Sequence, residues 1–385
     1  MRQREDLVFP MREYQRRLDA LRGVMAEHEL DAMLTTTPEN ICYLTGFDSP
    51  GHYWFQAMVV PMHGEPFTFS RLLETSGVEA DTWVELNYGY HDSDDIMSSL
   101  AARLLDHGLA EARVGFEQDC WFFTASQQHS LVYSLPTTEF VDVSGLIEEL
   151  RLVKSEPEVA LMRRAAQAAA VGMRAGVDAV AEGRTEDEVA AELTAALIRG
   201  GSHWPSIMPF IASGERGAIG HATWKGRTIR PHDSVFLEVG GCRNRYHAAM
   251  MRTVVVGKAD PELKTAFEVV LHAIDAAMDT VKPGVPAGEV DRVSRAVIAD
   301  AGFGENQASR TAYSIGIAVP PDWGEGQILS MKPGEGRPLQ ENMTFHLIPW
   351  VQFPGKGGVG CTETIRVTAN GCERLTDFPR ELFEA

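Results

Sequence analysis

Val235-Phe-Leu-Glu-Val-Gly-Gly-Cys-Arg-Asn-Arg-Tyr-His-Ala-Ala-Met-Met-Arg-Thr253 is the stretch on which the fold turns. Val235, Phe236, Leu237 and Val239 suit a buried strand. Gly240-Gly241 predicts a sharp turn. Arg252-Thr253 then leads into the apolar Val254-Val-Val256, a second strand. A carboxylate, Glu238, sits in the middle of the first strand, and a buried carboxylate needs a partner. A salt bridge to an arginine such as Arg252 and a role as base, nucleophile or cation anchor are both open from the pattern alone.

The remainder of the chain sets this hairpin in context. Tyr14, Leu18, Leu21 and Met25 recur at helical spacing, predicting an amphipathic helix over 11–29. Short strands are expected at 32–35, 56–61, 66–70, 113–117 and 139–141, with helices at 96–105 and 123–135 between them. This alternation predicts an α/β domain over 1–152. In Leu152-Val-Lys-Ser-Glu-Pro-Glu158, Ser155 is a helix cap and Pro157 belongs in a first turn. An Ala-rich helix follows to about 180, and a second runs from Thr185 to about 198. Two more helices are expected at 261–282 and 287–301, and strands at 344–349 and 363–368. Residues 153–385 thus read as helices with a mostly antiparallel sheet, and the chain as α+β.

With 385 residues, two domains are expected. Hydrophobic residues at 44% and charged residues at 23% describe a globular protein. The formal charge of −19 argues against nucleic acid or an anionic membrane as partner and suits solubility. Five scattered cysteines, with no CxxC pair, disfavour a zinc ribbon and predict reduced thiols in a cytoplasm. No apolar h-region follows the charged start, and no run is apolar enough for a membrane span.

Ser213-Gly-Glu-Arg-Gly-Ala-Ile-Gly-His221 is glycine-rich but lacks the Gly-Lys-Ser/Thr of a phosphate loop. Its His221 is a candidate acid/base, since imidazole titrates near neutrality. Tyr246-His247 on the second strand is a weaker candidate pair. Glu363 opens a strand after a Gly-rich stretch. Pro320-Pro-Asp-Trp-Gly-Glu325 gathers Asp322, Trp323 and Glu325 in a tight loop of the kind that closes over ligands. His52-Tyr-Trp-Phe55 puts Tyr53 and Trp54 in a loop, where aromatic faces can hold a cation or pack in a core.

These motifs occur in a recognisable order. Asn40-Ile-Cys-Tyr-Leu-Thr-Gly-Phe47, Arg151 to Glu158, Ser213-Gly to His221, Glu238 to Thr253, Gly316 and Met343-Thr-Phe345 to Pro349 together resemble the creatinase/prolidase/aminopeptidase P superfamily. The resemblance covers almost the whole chain. It implies a pita-bread C-terminal domain over 153–385, preceded by a creatinase-type N-terminal domain over 1–152.

Peptidases of that superfamily hold two metal ions through Asp, Asp, His, Glu and Glu. The corresponding positions here are Glu238, Ala249, Tyr313, Ile348 and Thr362, with Glu363 beside the last. Ala and Ile offer no donor atom, so the resemblance implies no metal and no other cofactor. Within the superfamily the chain is most similar to the ectoine hydrolases, through Ser309 to Gly316, the Pro320 to Glu325 loop, Arg245-Tyr-His247, Met343 to Pro349 and Phe378 to Phe383. That similarity implies metal-independent opening of a cyclic amidine. The substrate is expected to be small and cationic or zwitterionic, and the enzyme a cytoplasmic homodimer. Glu238 and Glu363 are expected to contact the amidinium and His221 to move the proton, with direct attack by Glu238 as the alternative. Arg310 or Arg252 is expected to bind the carboxylate of the substrate. Tyr246, His247, Tyr313, Asp322, Trp323 and Glu325 are expected to line the site, with Tyr53 and Trp54 as a lid from the second protomer.

Overall fold

In the computed structural model, which describes residues 1–385, contacts separate Met1–Arg151 from Leu152–Ala385. The first unit contains α1 (Met11–Glu27), β1 (Ala32–Thr35), α2 (Pro38–Thr45), β2 (Ala57–Pro61), β3 (Phe67–Arg71), α3 (Thr75–Asp81), β4 (Leu86–Tyr90), α4 (Ile96–Asp106), β5 (Arg113–Phe116), α5 (Ala125–Ser134), β6 (Glu139–Asp142) and α6 (Leu146–Leu152, which ends one residue past the division). Its sheet has the order β4-β3-β2-β1-β5-β6. β1 runs parallel to β5 and antiparallel to β2. Tyr14, Leu18, Leu21 and Met25 form the buried stripe of α1, as their spacing requires. Pro38 both ends the β1 segment and opens α2, where its missing N–H costs nothing.

The second unit begins with α7 (Glu156–Ala179) and α8 (Glu186–Arg199). Each starts on a reciprocal capping box, Ser155 with Glu158 and Thr185 with Glu188. β7 (Phe210–Ser213), β8 (Ser234–Arg243) and β9 (Tyr246–Val255) follow, then α9 (Pro261–Thr280) and α10 (Ala287–Asp300). The chain ends in β10 (Ala312–Ser314), β11 (Ser330–Met331), β12 (Thr344–Leu347), β13 (Trp350–Phe353), β14 (Gly357–Gly360), β15 (Glu363–Thr368), β16 (Gly371–Arg374) and β17 (Phe383–Glu384). One sheet has the order β11-β10-β12-β15-β16, another β17-β9-β8-β7, and β13-β14 form a ribbon.

The hairpin differs from its expected form at the glycines. β8 runs straight through Gly240-Gly241, and the turn falls at Asn244-Arg245, both with positive φ. That is the backbone of a two-residue hairpin matched to strand twist. The glycines answer close approach instead. A Cβ on Gly241 would fall on the Ala165 carbonyl of α7, and one on Gly240 would lie 2.7 Å from the Trp323 ring. Strand alternation divides β8 between two faces. Val235, Leu237 and Val239 join Met250 and Val254 in the core beneath α7 and α8. Phe236, Glu238 and Gly240 face the other way.

Candidate functional site

Glu238 is the centre of that second face. Its Cα pairs with Met251 of β9 on one side and Phe210 of β7 on the other. The residue is half-buried. Burial, followed by the nearby Asp322 carboxylate, pushes it up to about 8. A carboxyl so placed is mostly protonated at neutral pH.

Aromatic side chains wall it. Phe210, its cross-strand neighbour, stands edge-to-face with Trp323 at 5.5 Å and stacks on His221 at 5.5 Å. Trp323 lies over Gly240, in the room that a side chain there would occupy. The indole Nε1–H donates to the Tyr313 hydroxyl at 2.7 Å. Burial first, then the charge of Glu238, holds the Tyr313 phenol well above its usual range. The Arg310 guanidinium sits over the Tyr313 ring, 4.8 Å from its centroid. A carboxyl and a guanidinium thus flank one phenol, with Asp322 exposed nearby.

Behind Tyr313 runs a buried hydrogen-bond chain. Tyr313 Oη meets His346 Nδ1 at 2.7 Å, and His346 Nε2 meets Thr362 Oγ1 at 2.6 Å. Strand pairing fixes this chain, because Tyr313 of β10 lies directly opposite His346 of β12. Burial, then the charges of Arg252 and Arg310, pushes His346 down to about 3, so the imidazole is neutral. His346 is absent from the residues that the sequence pattern points to. A histidine between Phe345 and Leu347 in a fully buried strand is the signal that could have found it.

Several expected site residues are engaged elsewhere. Arg252 and Glu363 are fully buried and hold one another at 2.8 Å. Arg252 also donates to the carbonyls of Met251, Thr362, Phe378 and Pro379. Glu363 also accepts from the Thr376 hydroxyl. Their coordination is filled within the fold, so the expectation that Glu363 contacts the substrate and Arg252 its carboxylate is corrected. Tyr246 Oη donates to Glu158 at 2.8 Å and ties β9 to α7. His247 sits between the Arg245 carbonyl and Ser206, and burial pushes it down to about 3. Glu325 forms a buried ion pair with Lys154 at 2.7 Å. That pair anchors the Trp323 loop, and Gly316 is required beside it, since a Cβ there would lie 2.7 Å from Lys154 Cε. Tyr246, His247 and Glu325 therefore hold the scaffold. His221 is exposed, with φ of 59°, and joins the cluster through Phe210. Tyr53 and Trp54 are exposed on the first unit, where Arg71 lies 4.6 Å over the Trp54 ring.

A pair of metal ions would have to be held by the donors at these five positions. Glu238, Ala249, Tyr313, Ile348 and Thr362 supply one carboxyl raised to about 8, one phenol, one hydroxyl already bonded to His346 and two hydrocarbon groups. No group of three or more His, Cys, Asp or Glu side chains is gathered as a metal site would need. These residues do not fit two hard cations, each of which requires several oxygen or nitrogen ligands.

Comparison with known proteins places this geometry in a family. Residues 160–369 match the model of metallopeptidase family M24, and residues 17–153 match the creatinase/prolidase N-terminal domain. The chain is 33% identical to the ectoine hydrolase of Halomonas elongata over 398 residues, covering 98% of each chain. It is 26% identical to the Xaa-Pro dipeptidase of Pyrococcus horikoshii over 360 residues, covering 93% of this chain and 96% of that one. The solved prolidase of Thermococcus sibiricus superposes with a TM-score of 0.86 at 25% identity, covering 97% of this chain and 99% of the other. With its creatinase-type N-terminal domain and pita-bread C-terminal domain, the chain belongs to metallopeptidase family M24 and is a hydrolase of C–N bonds.

Proposed function

We propose that this chain hydrolyses the cyclic amidine of ectoine, without a metal ion, to N-acetyl-L-2,4-diaminobutyrate. The observation that carries the reading is Glu238, a carboxyl raised to about 8 and walled by Phe210, Trp323 and Tyr313. Such a carboxyl, among aromatic faces, suits a flat, delocalised organic cation. Similarity to the Halomonas elongata ectoine hydrolase supports the same substrate. Arg310 supplies the counter-charge for the carboxylate of the substrate, since no side-chain carboxylate holds it and Tyr313 spaces it from Glu238.

The chemistry follows from the cation. An amidinium carbon between two nitrogens is electrophilic without a Lewis acid. Glu238 loses its proton and accepts from an amidinium N–H. Water attacks the central carbon while His221 takes its proton, then returns it to the ring nitrogen as the C–N bond breaks. The hydroxyl proton of the adduct passes to the departing nitrogen, so the carbon keeps the oxygen as an acetyl carbonyl and the nitrogen leaves as an ammonium. Direct attack by Glu238 is the rival step, and a single turnover in 18O-water separates the two, because only that route leaves label in Glu238. Replacing His221 by Ala lowers kcat at least about a hundredfold if it carries the proton. In a homodimer, Tyr53 and Trp54 of the second protomer close the exposed side at His221.

The test is to incubate the purified protein with ectoine, hydroxyectoine and creatine and identify products by NMR. N-acetyl-diaminobutyrate from ectoine supports the reading, and turnover of creatine alone replaces it with another amidine or guanidine hydrolase. Stoichiometric Mn, Zn or Co, with activity lost to a chelator, overturns the metal-free mechanism and favours the Xaa-Pro peptidase chemistry named for several solved neighbours.

A further inference from the structure

The chain Trp323–Tyr313–His346–Thr362 has two possible proton orders, and the two differ in which hydroxyl is left with a spare proton. Indole is a donor only, so Trp323 always donates to the Tyr313 oxygen. In the first order, Tyr313 donates to His346 Nδ1 and His346 Nε2–H donates to Thr362. The proton of Thr362 is then left over. Thr362 is fully buried, and no acceptor other than the imidazole lies against its hydroxyl. Such an orphaned donor carries a desolvation penalty.

In the second order, Thr362 donates to Nε2, and Nδ1–H donates to the Tyr313 oxygen, which accepts from Trp323 as well. The indole, the imidazole and Thr362 are then satisfied, and one proton is again left over. The spare proton is that of the Tyr313 phenol, which unlike Thr362 has a carboxyl near enough to act on it, that of Glu238. The imidazole is neutral in both orders, so no change of charge is involved.

We propose that His346 is a positioning residue. Held as its Nδ1–H tautomer by Thr362, it turns the Tyr313 hydroxyl into a hydrogen-bond donor facing the reacting amidine. The acceptor is the oxygen added to the amidine carbon, which gains negative charge as the proton leaves the attacking water. An oriented neutral donor at that point stabilises the transition state more than the ground state. This role rests on the amidine-hydrolase reading, whereas the tautomer itself does not.

Two experiments test it. The first is 15N NMR of His346 in the full-length protein, with the signal assigned by loss in His346→Gln. The expected result is a protonated, pyrrole-type Nδ1 and an unprotonated, pyridine-type Nε2, and the opposite pattern overturns the proposal. The second uses turnover. Thr362→Val removes the donor to Nε2 and lowers kcat at least about tenfold, with KM changed by less than about threefold, and Thr362→Ser restores most of kcat. Loss of KM and kcat together in Val and Ser alike, with a normal melting curve, overturns the positioning role. If the wild-type protein leaves ectoine untouched yet shows Nδ1–H, the substrate reading fails and the tautomer assignment stands.

Discussion

Binding of the cationic substrate must be linked to release of a proton from Glu238. The carboxyl is raised to about 8 in the free protein by burial and by Asp322. At pH 7 about nine molecules in ten therefore carry the proton, and a bound amidinium needs the carboxylate. Deprotonation at pH 7 costs one unit, about 1.4 kcal/mol, or about tenfold in affinity relative to alkaline solution. The sign is fixed, because the proton competes with the cation. The dissociation constant of ectoine falls about tenfold as pH rises from 6 to 7, by less up to 8, and is flat above it. Calorimetry in buffers of different ionisation enthalpy reads the linkage directly, as about 0.9 protons released per ectoine at pH 7. The hydrolysis-deficient His221→Ala protein serves for the measurement. Glu238→Gln abolishes both the slope and the release. Affinity independent of pH between 6 and 8, with no proton released, refutes the placement of Glu238 against the cation.

The same shift makes Glu238 a burden on stability. Its folded value lies above the ordinary carboxyl value, so the folded state holds the proton more tightly and stability falls as pH rises from about 4.5 to about 8. Discounted for the water that reaches a half-buried group, the loss is about 2 kcal/mol, and Glu238→Gln raises the melting temperature by several degrees at pH 8 but not at pH 4. The buried Lys154–Glu325 pair behaves oppositely: Lys154→Met leaves Glu325 uncompensated and costs about 3–5 kcal/mol by urea unfolding, and adding Glu325→Leu recovers much of it. Gly240→Ala drives a methyl against the Trp323 ring, so kcat falls at least about tenfold while the melting curve shifts little.

What the sequence makes legible is set by range and by period. The helices of both units follow from apolar spacing and from local caps such as Ser155-Glu158, which lie within a few residues of one another. Gly240-Gly241 misleads because glycine answers two demands, positive φ and close approach, and only the packed helix and the Trp323 ring show that the second applies. Asn244-Arg245 gives no turn signal because arginine is uncommon at positive φ, and this one is held there by bonds to Trp204, Ser206 and Ala318. Glu238 was legible as a carboxylate breaking an apolar strand. Glu363 looked alike, and its pairing with Arg252 across 111 residues has no local signature. The Tyr313–His346–Thr362 chain depends on β10, β12 and the residue leading into β15 meeting in register, which no local pattern encodes.

The conversion from a metal-type site to an organic-cation site should be visible in selectivity among cations. A quaternary ammonium ion and an amidinium carry the same charge and both gain from the faces of Phe210, Trp323 and Tyr313. Only the amidinium presents N–H groups to Glu238. Without them, nothing repays removal of the proton from a carboxyl raised to about 8, and the quaternary ion meets a neutral acid. One or two charge-assisted hydrogen bonds are worth about 3 kcal/mol, and deprotonation of Glu238 at pH 7 takes back about 1.4 kcal/mol, so the amidinium binds over about tenfold more tightly. Acetamidine and tetramethylammonium, each titrated as competitors of ectoine turnover at pH 7, test this. The preference shrinks in Glu238→Gln when the same ions are titrated by calorimetry. Equal inhibition by the two ions in the wild-type protein means that the aromatic walls alone select the ligand, and that Glu238 does not face it.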